Sequence, residues 1–268
     1  MTLYLIGIGL NDEKDITLRG LEIIKECDEV YLEYYTSILS VEKEKLEKIY
    51  EKEIKIADRN LVESQAEEKL LLPAKEKNIA VLIVGDIFGA TTHTDLQLRA
   101  KKLNVEFVPV FNASIMNAIG FVGLELYKYG KTTSIVFPQK NWLPHTPYEV
   151  IKNNLSLGLH TLCLLDIKVA EPSQEDLLKG INKPQPPKYM TVNEGLNFLL
   201  MIEKERNEKI ITEETIVIGV ARIGQKNCLI KSGKIKELLN FDFGAPLHSL
   251  IIPGKLHEVE QEMLDSWK

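Results

Sequence analysis

The stretch VLIVGDIFGATTHTDL, Val81 to Leu96, sets an acid where a strand should end. Six apolar residues counted from Ile79 stop at Gly85-Asp86, and Gly89 follows at once. An ionised carboxylate at Asp86 can accept hydrogen bonds from a ligand or face a positive charge. Glycine beside it lets backbone approach a ligand with no Cβ in the way. In an open α/β sheet, ligands sit beyond the carboxyl ends of the strands, and Gly85-Asp86 holds that place for a strand over Ile79–Val84. A carboxylate there can equally cap a turn, and periodicity leaves both readings open. Thr92 and Asp95 are spaced as a T-x-x-D capping pair, and Leu96, Ala100 and Leu103 continue the buried face of a helix. Thr92 and His93 therefore read as helix-start residues rather than catalysts.

Two more stretches bear on the same edge. LIGIGLND ends a first strand with Gly7-x-Gly9-Leu10. This is an incomplete dinucleotide fingerprint, because the third glycine is missing and the helix opens several residues too late. In FNASIMNAIG, Asn112 and Ser114 stand at a helix start, where free N–H groups favour anions such as a carboxylate; simple N-capping by Ser114 explains it as well. The histidines His93, His145, His160, His248 and His257 show no H-E-x-x-H or similar spacing, and Cys27, Cys163 and Cys228 form no C-x-x-C. No metal is expected.

Around these points, short apolar runs alternate with helical periods. Strands are expected at Leu3–Ile8, DEVYLEYY, KEIKIA, Ile79–Val84 and VEFVPV. Helices are expected at Thr17–Glu26, Val41–Tyr50, Asn60–Lys77 with a kink at Pro73, and Thr92–Leu103. That rhythm predicts a mostly parallel sheet covered by helices. A new series starts near Ser114, with Ile115, Ile119, Val122 and Leu126 on one helix face. Strands TSIVF and HTLCLLDI surround a helix at Thr146–Leu155, and another helix spans Thr191–Asn207. ETIVIGVA, NCLIK and HSLIIP, with a short helix at Lys234–Leu239, lack the βα rhythm and admit antiparallel pairs. The proline-rich segment 171–188 reads as a surface loop. The fold class is α/β with two domains, 1–112 and 113–268, the first sheet mostly parallel and the second mixed.

Hydrophobic residues make up 44% and charged residues 27% of 268, a globular balance. A formal net charge of −6 with scattered Lys and Arg argues against general nucleic-acid binding. An odd number of distant cysteines suits a reducing compartment. The start of the chain has no basic n-region, and no apolar run nears the ~18 residues of a membrane span. A soluble, cytoplasmic protein is expected.

LYLIGIGLNDEKDIT, GD with ATTH at 85 to 93, SI at 114 to 115, KNWLPHTPYEVIKNN, GLHTLCLLDIK, KYMTVNEG, ARIG and DFGAPLHSLIIPGKLH, in this order, resemble the tetrapyrrole-methylase-like S-adenosylmethionine-dependent methyltransferases. Within them the likeness is to the diphthine-forming branch and covers nearly the whole chain. The resemblance implies two α/β domains, a homodimer, and S-adenosylmethionine held in the cleft between domains. It implies successive methylation (trimethylation) of the amino group on a 3-amino-3-carboxypropyl-histidine of translation elongation factor 2, the protein substrate, on the way to diphthamide. It places donor contacts at Leu10, Asp86, Gly89, Ser114, Ile115, Leu165, Ile223 and His248. Val84 and Ile87 stand where the branch often has prolines, which predicts a looser loop. Ile223 replaces a common alanine, and the insert at 171–188 is longer than usual.

Methyl transfer from a sulfonium to an amine is an in-line displacement that develops no oxyanion, so it needs neither a triad nor a metal. It needs alignment and a deprotonated amine, and α-amino groups titrate near 7.7–8.0. No catalytic residue is assigned; water can take the proton. Two other acceptors or roles compete. A corrin or sirohaem precursor, rich in carboxylates, would want convergent cations, but Arg19, Arg59, Arg99, Arg206 and Arg222 do not cluster in sequence. A non-enzymatic nucleotide-binding module would use the same glycine-lined edge without transfer. A nicotinamide oxidoreductase is weakened by the incomplete glycine fingerprint.

Overall fold

Strand β4 (Ile79–Ile83) is buried at every residue, and the other strands of the first sheet are ranked around it. A computed structural model describes residues 1–35, 37–139, 142–169 and 185–268. With β1 (Thr2–Gly7), β2 (Glu29–Glu33), β3 (Lys55–Ala57) and β5 (Glu106–Val110), the sheet runs β3-β2-β4-β1-β5. All pairings are parallel. Parallel strands covered on both faces carry continuous apolar runs, as IAVLI does. The covering helices are α1 (Leu18–Glu26), α2 (Lys43–Tyr50), α3 (Arg59–Glu63), α4 (Thr94–Lys102) and the single turn α5 (Ile115–Ala118). Thr17 caps α1 by accepting the Gly20 N–H at 3.0 Å, which sets Ile24 into a core with Ile6, Val30, Leu46 and Leu82. These elements belong to one unit, Met1–Ala118 with Gly224–Lys226.

The second unit comprises Ile119–Ile223 and Asn227–Lys268. Its strands are β6 (Thr133–Ile135), β7 (Thr161–Leu165), β10 (Ile216–Ala221), β11 (Leu229–Lys234) and β12 (His248–Ile252), in the order β11-β10-β12-β7-β6. Only β6 and β7 pair in parallel; the rest are antiparallel. The expected mixed sheet is therefore present. A small ribbon pairs β8 (Ile167–Lys168) with β9 (Lys188–Tyr189). Its helices are α6 (Thr146–Ser156), α7 (Val192–Arg206), α8 (Ile235–Leu238) and α9 (Glu258–Ser266). Thr191 and Glu194 form a reciprocal capping box that starts α7. Leu196 and Leu199 of α7 then pack into a core with Tyr148, Val217 and Leu250.

Three expectations meet a different structure. The helix expected over Asn60–Lys77 breaks into α3, a wide turn at Glu67–Leu71 and a 3-10 turn at Pro73–Lys75. Pro73 lacks an N–H, and its ring disfavours a regular preceding turn, so the Leu72 N–H reaches back five residues to Glu67. The T-x-x-D cap does not form: α4 begins at Thr94, and Asp95 instead pairs with Arg99 at 2.7 Å. The helix expected from Ser114 is cut short, with 3-10 turns at Ile119–Val122 and Leu126–Lys128. Ile119 and Val122 are buried as expected, but Leu126 is 45% exposed. Helix α9 has no counterpart in the sequence reading. The proline-rich segment lies outside the described residues over 171–184. Among the described residues, no helix is long and apolar enough to cross a membrane.

Helix α9 is fixed by a buried acid. Glu260 accepts the N–H groups of Glu125 (3.1 Å) and His257 (3.2 Å), His160 Nε2 (3.0 Å) and the Lys128 ammonium. Burial alone would raise its pKa, but these donors, Lys128 foremost, hold it at about 2. Burial lowers the pKa of His160, whose Nδ1 accepts the Gly254 N–H at 2.9 Å. Glu125, His257 and Glu260 lie close enough to share a metal ion. Glu260 already takes four donors, one of them cationic, so the cluster is a structural tie. Both shifts make stability fall on acidification. The His160 contribution is present above about pH 6.5 and declines below it; that of Glu260 declines between about 4.3 and 2 and amounts to about 3 kcal/mol. Glu260→Gln is expected to lower neutral-pH stability by about 3 kcal/mol and to flatten the acid limb below pH 4.5, measured by urea denaturation followed at Trp267.

Candidate functional site

At the carboxyl edge of the first sheet, β1 and β4 stay joined past their last paired residues. The Gly85 N–H donates to Gly9 O at 2.7 Å and the Gly9 N–H to Gly85 O at 3.3 Å. Gly9 has φ +78, and a Cβ there would sit 2.4 Å from Asp15 Cβ. This close approach lets Asp15 Oδ2 accept the N–H groups of Leu10 (3.1 Å) and Asn11 (2.8 Å). The chain leaves β1 toward β2 on one side and β4 toward β5 on the other, which is where open α/β sheets place a ligand crevice.

Asp86 is a half-buried acid whose two oxygens both hold backbone. Oδ1 accepts the Phe88 N–H at 2.9 Å, and Oδ2 accepts the Asn112 N–H at 3.0 Å. Each carboxylate oxygen has a second lone pair, so the turn-capping role and a ligand contact are compatible. Asn112 is the hub that ties β1 to β5. Its side chain donates to Gly7 O (2.9 Å) and Asp15 O (3.0 Å) and accepts the Ala113 N–H (2.7 Å). Ser114 is buried; its Oγ accepts the Met116 N–H at 3.2 Å, the expected capping bond, while its N–H donates to Asn117 Oδ1 at 2.7 Å. Gly89 runs so close that a Cβ would lie 2.5 Å from Ser114 Oγ. Leu10 lies against Gly224. The structure thus brings Leu10, Asp86, Gly89, Ser114 and Ile115 to one sheet edge.

The other three expected residues share one end of the second sheet. β12 runs antiparallel between β10 and β7, with His248 opposite Ala221 and Ser249 opposite Leu164. His248 at the start of β12 therefore neighbours Leu165 at the end of β7, and Ile223 follows two residues beyond β10. The His248 ring is buried: Nε2 donates to Ala245 O at 3.0 Å, and Nδ1 faces the Val192 N–H at 3.4 Å. Burial lowers its pKa, so it is a neutral imidazole with both nitrogens engaged. Arg222, with φ +53, turns its guanidinium onto the carbonyls of Phe243 (2.9 Å), Asn227 (3.2 Å) and Ala245. It braces this loop. Cys27 and Cys163 are buried thiols whose pKa burial pushes up, to about 11 for Cys27, which is the wrong direction for a nucleophile.

Sequence reading missed the backbone-holding roles of Asp15 and Arg222. Asp15 stands inside the LNDEKDIT segment, where only its distance of five residues from Leu10 hinted at a loop brace. Asn112 was legible as a helix-start residue but not as a hub. Asn112→Ala leaves the Gly7 and Asp15 carbonyls without this donor and is expected to cost about 1–3 kcal/mol. Amide exchange at Gly9 and Gly85 should quicken accordingly, while β10 and β12 keep their protection.

The family model described as Tetrapyrrole (Corrin/Porphyrin) Methylases matches residues 2–239. A diphthine methyl ester synthase of Dictyostelium discoideum is 51% identical, over 100% of this chain and 98% of the relative. The human protein of that name is 49% identical over 98% of this chain and 93% of its own. A crystal structure of a diphthine synthase superposes with a TM-score of 0.85 at 31% identity, covering 100% of this chain and 96% of that one. With a family model spanning most of its length, this chain belongs to the tetrapyrrole (corrin/porphyrin) methylases.

Proposed function

We propose that this protein is a diphthine synthase, transferring methyl groups from S-adenosylmethionine to the 3-amino-3-carboxypropyl arm of a modified histidine in translation elongation factor 2. The observation that carries this reading is identity near one half with diphthine methyl ester synthases over essentially the whole chain. The donor contacts we propose are Leu10, Asp86, Gly89, Ser114 and Ile115 from the first unit and Leu165, Ile223 and His248 from the second. Because both His248 ring nitrogens have protein partners, its contact is assigned to main chain or ring face. We also propose a homodimer, on the strength of the family resemblance, and a cytoplasmic location, which the odd number of distant cysteines supports.

The named product of the relatives is an ester, and this extends the amino-group trimethylation expected above. Bound at this edge, the donor would supply an electrophilic methyl group to the arm's carboxylate oxygen, its sulfur leaving as a neutral thioether. A carboxylate titrating near 3.5 is already ionised at pH 7, so this step needs no base. Each methylation of the amine releases a proton, and the neutral fraction available near pH 8 supports it. The chain contributes alignment. Asp86 and Asp15 lock the strand-end loops against which the donor rests, which supports a mechanism of positioning.

Incubation with labelled donor and elongation factor 2 bearing the arm should place label on the factor, part of it released as methanol by mild base. Label on a tetrapyrrole and none on the factor would refute the reading. Asp86→Ala is expected to weaken S-adenosylmethionine binding by about ten- to a hundredfold, as loss of a charge-assisted hydrogen bond does. Isothermal calorimetry measures this directly.

A further inference from the structure

His93 is 2% exposed and was expected only as a helix-start residue. Its Nδ1 lies 2.9 Å from Ile87 O, and the Thr91 hydroxyl donates to the same carbonyl at 2.8 Å. A carbonyl oxygen accepts, so Nδ1 carries the hydrogen. On the far side of the ring, Nε2 is 3.6 Å from Glu33 Oε2, with Glu33 equally buried at the end of β2. Burial and, after it, the nearby Glu33 carboxylate push up the pKa of Tyr35, and the Arg59 guanidinium lies 5.3 Å from the Tyr35 ring. A buried carboxylate beside a buried imidazole is costly compared with an apolar core of the same volume. Its consequence is found at Ile87.

Ile87 C=O and Phe88 N–H belong to one peptide group, which is planar and rigid. The oxygen is held by His93 and Thr91; the N–H on the opposite side donates to Asp86 Oδ1 at 2.9 Å. Fixing the oxygen therefore aims the N–H, and the N–H orients the carboxylate. We propose that His93 is a positioning residue that presents Asp86 and the Asp86–Gly89 loop to the methyl donor through this single peptide plane. The inference rests on the proposed donor contacts of Asp86 and Gly89.

His93→Leu removes the donor at similar size, and His93→Asn keeps an amide N–H near the Nδ1 position. The Leu variant should speed Phe88 amide exchange and weaken S-adenosylmethionine binding by about tenfold each, with Asn restoring both to within about threefold. A folded Leu variant with unchanged Phe88 exchange or unchanged donor affinity overturns the proposal. If the Leu variant does not fold, nitrogen-15 spectra of wild-type histidines decide: a proton on His93 Nδ1 supports it, and one on Nε2 alone overturns it. Failure of the wild type to bind S-adenosylmethionine would instead sink the proposed function, while Phe88 exchange and the tautomer still report on the peptide plane.

Discussion

The constraint on which the first unit depends is the closure of β1 onto β4 beyond the end of the sheet. Gly9 and Gly85 exchange N–H···O bonds where regular pairing has stopped, which brings two loops together at the strand ends. Once that is done, nearby polar side chains are recruited to hold main chain. Asp15 takes two amides, Asp86 takes two, and Asn112 spans three strand ends. An edge built this way has its main chain held by side chains from several elements. Methyl transfer from a sulfonium is chemistry that such an edge suits: the donor is already activated, and distance and angle govern the transfer.

The second unit uses polar burial differently. There the sheet is mixed, and its C-terminal helix is attached through a carboxylate that meets four donors in the interior. A buried charge of this sort adds little over an apolar contact when intact, but is damaging when half removed. It thus specifies where α9 must lie. His248 follows the same logic at the opposite scale of charge: a neutral ring, satisfied on both nitrogens, sets the start of β12 next to the ends of β7 and β10.

Much of the fold was legible because it is written in periodicity. The βα rhythm of the first half gave the parallel sheet, and its loss after residue 207 gave the antiparallel pairs. What periodicity cannot carry is the identity of hydrogen-bond partners far apart in sequence. Asp86 was placed at a strand end, yet its partner Asn112 is 26 residues away. The Thr92–Asp95 spacing suggested a cap, but Arg99, one turn on, competes successfully for the acid. Helix α9 escaped notice because its amphipathic pattern is inverted: Glu260 is buried and Val259 is 65% exposed. A charge in the core looks like a surface residue until its donors are known.

The loop after β4 is restrained by hydrogen bonds and burial rather than by proline. Proline fixes φ and lowers the entropy of the unfolded chain, worth about 0.4–1 kcal/mol per site; this chain has Val84 and Ile87 where prolines were expected from the resemblance. Other restraints act on the loop. Val84 and Ile87 are 7% and 0% exposed, and Ile87 O takes both a hydroxyl and an imidazole donor. Restraint has moved from the unfolded state to the folded one. A proline imposes its restraint locally and whatever surrounds it, whereas hydrogen bonds from Thr91 and His93 make the loop's order conditional on the start of α4. The geometry of Asp86 is therefore a property of the whole sheet edge rather than of its own turn.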